Sequence, residues 1–353
     1  MRFPGFEDSF WTNSKIGEIL KIGSGRDYKH LQEGNIPVFG TGGYMTSVNE
    51  YLFDGETVCI GRKGTINKPF YYNGKLWTVD TLFYTHSYKD IIPKFLFYVF
   101  EQINWLKYNE ASGVPSLSKN TIEQIDVFIP SKNEQNKIAS LLSLLDNRIQ
   151  TQTKIIEELE SLSKGLREKL FSQQLRFKDD KGNEFPDWEE KKLEYVCEKK
   201  SSNISANKIE NNFGEYIIYG ASGILKKVDF YEEESDYISI VKDGAGVGRL
   251  FYCKGKSSVL GTMDIIKPSK SINTYFLFCL LSNIDFTAYV TGSTIPHIYF
   301  KDYKKERLII PSMGEQLKIS SFLSSINQKI NIGKKSLQQY EHQKKYFLQN
   351  MFI

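Results

Sequence analysis

The feature that most constrains this chain is an internal duplication. Val38-Phe39-Gly40-Thr41-Gly42-Gly43-Tyr44 returns as Ile218-Tyr219-Gly220-Ala221-Ser222-Gly223-Ile224, which places Gly220 180 residues after Gly40. Arg62-Lys63-Gly64-Thr65 falls on Lys242-Asp243-Gly244-Ala245 at the same spacing. Ser112-Gly113-Val114-Pro115-Ser116-Leu117 matches Ser293 to Ile298, and Ile129-Pro130 with Glu134-Gln135 matches Ile310-Pro311 with Glu315-Gln316, both 181 residues on. Each match is short, but four in one order at nearly constant spacing define two copies of one unit. The starts align more loosely, Arg2-Phe3-Pro4 and Trp11 against Arg176-Phe177, Phe185-Pro186 and Trp188.

Within a unit, β-rich runs bounded by turn residues predict short strands at Ile36 to Phe39, Val58 to Ile60, Phe70 to Tyr72, Leu82 to Thr85 and Ile125 to Ile129. Pro93 before Phe95 to Ile103 predicts a helix with proline in its first turn. The second copy repeats the pattern with Tyr216 to Tyr219, Tyr237 to Val241, Asp264 to Lys267, a helix near Thr274 to Ser282, and Arg307 to Ile310. The fold class is therefore mixed α/β (α+β), present twice in tandem.

Each unit ends differently from how it begins. Steps of four and three from Ile138 meet Leu142, Leu145, Ile149, Ile156, Leu159, Leu166 and Leu170, interrupted by Gln152 and Ser163. The same steps from Ile319 meet Leu323, Ile326, Ile330, Leu337, Tyr340, Phe347 and Met351, interrupted by Gly333 and Lys344. That is a coiled-coil seam. One such helix could equally lie on its own domain; two in matching positions favour pairing with each other, since each supplies the surface the other must bury. Chain order makes the expected pair antiparallel, a rod of roughly 50 Å with a domain at each end. The expected divisions are 1–131 and 174–312 for the two domains, and 132–173 and 313–353 for the helices. Lys334-Lys335 and Lys344-Lys345 read as a solvated helix face or partner surface.

With 353 residues, 40% of them hydrophobic and 25% charged, the chain has material for two cores. Met1 to Trp11 has no apolar core of a signal peptide, and the densest apolar runs fall far short of the roughly 20 residues that span a bilayer. Four scattered cysteines without a C-x-x-C pair suit a reducing cytoplasm. A net charge of +4 permits a polyanionic partner without requiring one.

The glycine clusters invite enzymatic readings that fail on spacing. The third glycine of a dinucleotide loop is Arg249 after Gly244-Ala245-Gly246 and Met45 after Gly40-Thr41-Gly42. Gly255-Lys256-Ser257 lacks the earlier P-loop glycine, where Leu250 stands. Phe39-Gly40-Thr41-Gly42 is misspaced for a methyl-donor loop, and no Asn/Asp-Pro-Pro-Tyr/Phe motif occurs. Pro186-Asp187 and Glu189-Glu190-Lys191 have the letters of a nuclease site, but one intervening residue cannot place those carboxylates on separate strands. His30, His86, His297 and His342 show no metal-ligand spacing.

A domain ending in Ile-Pro, then Glu-Gln, then a heptad helix, all repeated once, resembles the specificity subunit of type I restriction-modification enzymes. Pro130-Ser131-Lys132-Asn133-Glu134-Gln135-Asn136-Lys137-Ile138 and Pro311-Ser312-Met313-Gly314-Glu315-Gln316-Leu317-Lys318-Ile319 carry the likeness, and Trp188-Glu189 leading to Lys192-Leu193 is similar to that family's domain starts. The resemblance implies a non-catalytic subunit without a cofactor of its own. Each target recognition domain would read one half of a split, asymmetric site on double-stranded DNA. The helices would set the spacing and dock two methyltransferase subunits. Restriction subunits would join through these, and S-adenosylmethionine, ATP and Mg would bind on the partners. A protein-only coiled-coil scaffold is the alternative, though it gives no reason for two glycine-loop domains.

Phosphate contacts call for Lys, Arg or small polar groups with exposed amides, and base edges for Arg, Lys, Asn, Gln or Ser/Thr. Those needs select Thr41, Tyr44, Arg62, Lys63, Thr65, Ser112 and Lys119 in the first domain, and Ser222, Lys242, Arg249, Ser293, Thr294 and His297 in the second. Lys63 and Asp243 differ in charge, so no shared phosphate contact is expected there.

Overall fold

Alternating apolar runs and turn residues produce sheet in both halves, and the long heptad stretches produce helix. The computed structural model describes residues 2–6 and 10–352. By contact the chain forms two units, Met1–Lys154 with Lys334–Ile353, and Ile155–Gly333.

In unit 1, strand β1 (Thr12–Lys15) leads through a helical turn, α1 (Ile16–Ile19), into β2 (Lys21–Ser24), β3 (Glu33–Gly40), β4 (Gly43–Val48), β5 (Phe53–Gly61), β6 (Phe70–Thr78) and β7 (Leu82–His86). Helix α2 (Pro93–Gln102), helix α3 (Lys119–Glu123) and strand β8 (Asp126–Ile129) follow, before the long helix α4 (Lys132–Phe171). Strands β2 to β7 form one sheet in the order β2-β7-β5-β6-β3-β4, with β3 and β6 parallel. β1 and β8 form a separate antiparallel ribbon.

Unit 2 repeats this order with β9 (Glu189–Lys192), α5 (Leu193–Val196), β10 (Cys197–Ser201), α6 (Ala206–Ile209), β11 (Tyr216–Gly220), β12 (Gly223–Val228) and β13 (Tyr237–Val241). It continues through β14 (Leu250–Cys253), β15 (Ser257–Val259), β16 (Met263–Pro268), α7 (Thr274–Leu281), α8 (Phe300–Tyr303), β17 (Arg307–Ile310) and the second long helix, α9 (Met313–Met351). One difference is instructive. The single strand β6 of unit 1 corresponds to two strands in unit 2, because Lys254-Gly255-Lys256 interrupts it, with Lys256 at φ 54°. The sheet accordingly splits into β10-β16-β13-β14 and β12-β11-β15. The parallel pairing survives: Val38 and Phe39 face Trp77 and Thr78, and Ile218 and Tyr219 face Ser258 and Val259.

Each long helix runs from one unit into the other. In unit 1 the start of α4 (Ile138, Leu142, Leu145) shares a core with the end of α9 (Phe347, Leu348, Met351). In unit 2 the end of α4 (Leu170, Phe171) shares a core with the start of α9 (Ile319, Leu323). The pairing is antiparallel in both. Of the heptad residues, Ile149, Leu159, Leu166, Leu337, Tyr340 and Phe347 are half-buried, and Ile138, Leu142, Leu145, Ile156, Leu170, Ile319, Leu323, Ile326, Ile330 and Met351 are buried. One expectation needs correction. Lys344 is not a solvated lysine; it is 16% exposed, and its ammonium pairs with Glu101 at 3.0 Å and Asp146 at 2.8 Å. The helix pairing carries it toward those two carboxylates, which satisfy an ammonium at a seam position.

The Glu-Gln of each unit is buried and holds the unit together. Gln135 Nε2 donates to the carbonyls of Asp90 and Pro130, both at 2.9 Å, and its Oε1 accepts from the Ile92 amide at 2.8 Å. Gln316 does the same with Ser271 at 3.2 Å, Pro311 at 2.9 Å and the Asn273 amide at 2.8 Å. The preceding glutamate takes a two-pronged arginine: Arg2 Nε and Nη2 reach Glu134 at 3.1 and 2.7 Å, and Arg176 Nε and Nη2 reach Glu315 at 3.2 and 2.8 Å. Bidentate charge-assisted bonds fix orientation as well as distance. The loosely aligned starts of the two copies thus meet the same buried carboxylate.

Candidate nucleic-acid interface

Three loops meet in each unit, joined by main-chain bonds. In unit 1 the amides of Arg62 and Lys63 donate to Thr81 O at 2.8 and 3.2 Å, Gly64 N donates to Pro115 O at 2.8 Å, and Leu117 N donates to Arg62 O at 2.8 Å. In unit 2 the amides of Lys242 and Asp243 donate to Thr262 O at 3.0 and 3.3 Å, Gly244 N to Pro296 O at 2.8 Å, and Ile298 N to Lys242 O at 2.9 Å. The four bonds correspond one to one. Gly64 (φ 94°) and Gly244 (φ 82°) turn the chain at the crossing point, in a region that a residue with a Cβ avoids. The β3–β4 and β11–β12 hairpins, closed by the pairs Gly40–Gly43 and Gly220–Gly223, stand beside the junction.

The side chains carried by this shared frame differ. In unit 1, Arg62, Lys63 and Lys119 line one cleft of about 700 Å3 with Ser116 and Ser118. Thr41 and Tyr44 line a second, of about 610 Å3, and Asp80 and Thr81 belong to both walls. Arg62 and Lys63 are exposed, and the Arg62 guanidinium reaches only a main-chain oxygen, Asp80 O at 3.2 Å, among its described hydrogen bonds. The nearby His86 ring is held below its ordinary pKa by burial and by the charges of Lys21 and Lys119. Asp80 and Glu110 line the same cleft, so three cations face two carboxylates there. Thr65 and Ser112 belong to the same loops but not to the cleft lining.

Unit 2 ties up its cation. Lys242 pairs with Asp264 at 3.4 Å, and that buried carboxylate also takes Lys199 at 3.6 Å and the Ser201 hydroxyl at 2.8 Å. Arg249 is exposed and donates to Ala221 O at 3.0 Å, joining the 244–249 loop to the hairpin tip that bears exposed Ser222. Ser293 and Thr294 are exposed, whereas His297 is half-buried and exchanges main-chain bonds with Thr291. Asp243 occupies the position of Lys63, so the two copies present opposite charges there.

Thr81 and Thr262 are loop anchors that the sequence reading missed, although Val79-Asp80-Thr81-Leu82 repeats as Leu260-Gly261-Thr262-Met263, 181 residues on. The buried roles of Gln135 and Gln316 were missed as well. All four cysteines are buried and unpaired, and burial pushes the thiols of Cys253 and Cys197 up to about 11 and 12. Such thiols are poor nucleophiles at neutral pH. Among the described residues, no group of three or more His, Cys, Asp or Glu is placed to hold a metal ion, and no helix is long and apolar enough to cross a membrane.

Fold and loops together define a duplicated protein: one frame twice, with different surfaces on it. The family model for the type I restriction modification DNA specificity domain matches residues 9–161 and 186–342, and the chain belongs to this family, that of the non-catalytic specificity subunits of type I restriction enzymes. Relatives include the type I restriction enzyme MjaVIII specificity subunit of Methanocaldococcus jannaschii, 28% identical over 83% of this chain and 75% of that protein. The EcoDI specificity subunit of Escherichia coli is 22% identical over 88% of this chain and 79% of its own length. The crystal structure of the type I restriction-modification system S subunit from M. genitalium shares the fold, with a TM-score of 0.81 at 18% identity, covering 100% of this chain and 99% of that one. Recognition of a DNA target is the general function of the family.

Proposed function

We propose that this chain reads a bipartite, asymmetric DNA target, one half with the three-loop junction of each unit, and works in the cytoplasm. The observation that carries this reading is the junction itself: the same four main-chain bonds recur, while Arg62, Lys63 and Lys119 in one unit are replaced by Lys242, Asp243 and Phe300 in the other. A shared frame with divergent side chains suits two readers of unlike half-sites. Phosphate contacts fall to Arg62, Lys63 and Lys119 in unit 1 and to Arg249 in unit 2; hydroxyls such as Thr41, Ser222, Ser293 and Thr294 face base edges or sugars. The paired helices α4 and α9 hold two methyltransferase subunits, through which restriction subunits join. S-adenosylmethionine, ATP and Mg bind on those partners.

The test is to co-express the chain with candidate type I methyltransferase subunits and sequence methylated bases genome-wide. A split adenine-methylation motif with two unlike halves is expected. No modification, or a continuous palindrome, would sink the reading.

A further inference from the structure

Val114 and Ile295 occupy the same place in the two copies of one loop, each directly before a proline, and they are 55% and 64% exposed. Neither loop is slack. In unit 1 the Asn109 carboxamide accepts from the amides of Ala111 and Ser116 at 3.1 and 2.9 Å and donates to Ala111 O at 2.7 Å. In unit 2 Thr291 and His297 exchange two main-chain bonds of 2.8 Å, and Gly292 (φ 88°) passes so near the loop tip that a Cβ would stand 2.5 Å from Ile295 O. Each loop also accepts the glycine amide of the junction at its proline. Both therefore hold a β-branched side chain out in water on a braced support, which loses little freedom on binding.

Around these two residues the loops diverge, Gly113 against Thr294 and Ser116 against His297. Positions that distinguish half-sites must differ; a feature kept in both copies serves something both half-sites have. Val114 lines the cleft in which Arg62, Lys63 and Lys119 outnumber Asp80 and Glu110, a net positive charge that suits a polyanion. What any two stretches of duplex share beyond phosphate is the base stack, and aliphatic side chains pressed between base steps kink a duplex.

We infer that Val114 and Ile295 are paired wedges, which press on the base stack of the two half-sites and bend the DNA, adding affinity without base preference. This rests on the DNA-reading function proposed above. The measurement uses the full chain assembled with its methyltransferase partner and two duplexes labelled at both ends for energy transfer. One duplex carries the motif found by methylation sequencing and the other a scrambled sequence. Val114→Ala and Ile295→Ala should each lower affinity about tenfold, by the same factor on both duplexes, and the pair together roughly a hundredfold. The bend should relax while the unfolding midpoint stays put, since both side chains are exposed. Wild-type binding with unaffected variants overturns the wedge alone. So does a loss confined to the motif duplex or a shifted methylation motif, which would make these residues base readers. A loss of subunit assembly with DNA binding intact would make them protein contacts, and also overturns it. A wild-type complex that binds neither duplex brings down the underlying reading of the junction as well.

Discussion

Arg62 and Lys242 stand at the same point of two copies of one loop, yet their surroundings differ. Arg62 lies open in a cleft beside Lys63 and Lys119. Lys242 turns inward to Asp264, which also holds Lys199. The contrast extends into the sheets. Unit 1 packs rings there, with Phe39 5.3 Å from Phe70 and 5.1 Å from Tyr72, and Phe53 5.6 Å from Tyr84 between centroids. Unit 2 puts Glu233 at the position of Phe53, buried and paired with Lys200 at 2.8 Å and with Lys267. A junction fixed by main-chain bonds tolerates either interior, so the electrostatic character of a unit can change while those bonds are kept.

The frame itself is where the two units should behave alike, and there the largest effects are expected. Gln135→Leu and Gln316→Leu each break three hydrogen bonds and strand buried main-chain partners, which should cost about 3 kcal/mol in the unit concerned. Hydrogen exchange resolved by unit, along a urea series, measures both; one unit losing much less than the other would break the equivalence.

The cations should separate the units by a smaller amount. Arg62→Ala is expected to weaken duplex binding about tenfold and to reduce the slope of log affinity against log salt by roughly one. Lys242→Ala should leave that slope unchanged, because Asp264 already neutralises the charge. Equal slopes for the two variants would show that Lys242 releases counterions too. Asp264→Asn sharpens the comparison, since it frees Lys242 and should raise the slope.

Acid should reveal the smallest difference. Burial pushes the Glu233 carboxyl up, but hydrogen bonds from Lys200 and Lys267 more than offset it, leaving its pKa below the ordinary 4.5. A depressed carboxylate contributes stability that is present above the unfolded value and is lost as pH falls through the folded one. Unit 2 should therefore begin to weaken as pH falls below about 4.5, the ordinary value, and lose this contribution fully once pH drops below the depressed folded value. Glu233→Gln should lower stability at neutral pH and flatten this dependence. An undiminished acid transition in the variant, followed by exchange in unit 2, would assign the lability to other groups.

Much of the fold was legible because its signals are local. Tyr237–Val241 and Arg307–Ile310 are strands over the predicted residues, and the heptad stretches are helices throughout. Glu189–Lys192 gave no such signal: four charged residues do not alternate, and the strand exists because β17 pairs with it. The same holds for Thr12–Lys15 against β8. By contact, residues 132–154 and 334–353 group with the first domain and 155–171 and 313–333 with the second, a division of the helices that chain order alone does not reveal. At the site, the repeated motifs located the loops, but not that Asp264, 22 residues beyond Lys242, would claim its ammonium. Such pairings depend on which strands become neighbours, and one strand's residues do not encode that alone.

The four main-chain bonds at each junction have a genetic consequence. Amides and carbonyls are the same in nearly every codon's product, so a mutation at position 62 or 242 changes the side chain presented while leaving the junction's bonds in place. Surface chemistry and folding can then drift separately. On the proposed bipartite reading, crossovers between related genes at the repeated Pro-to-Gln segment would shuffle intact readers, and the number of available targets would grow as the product of the two repertoires.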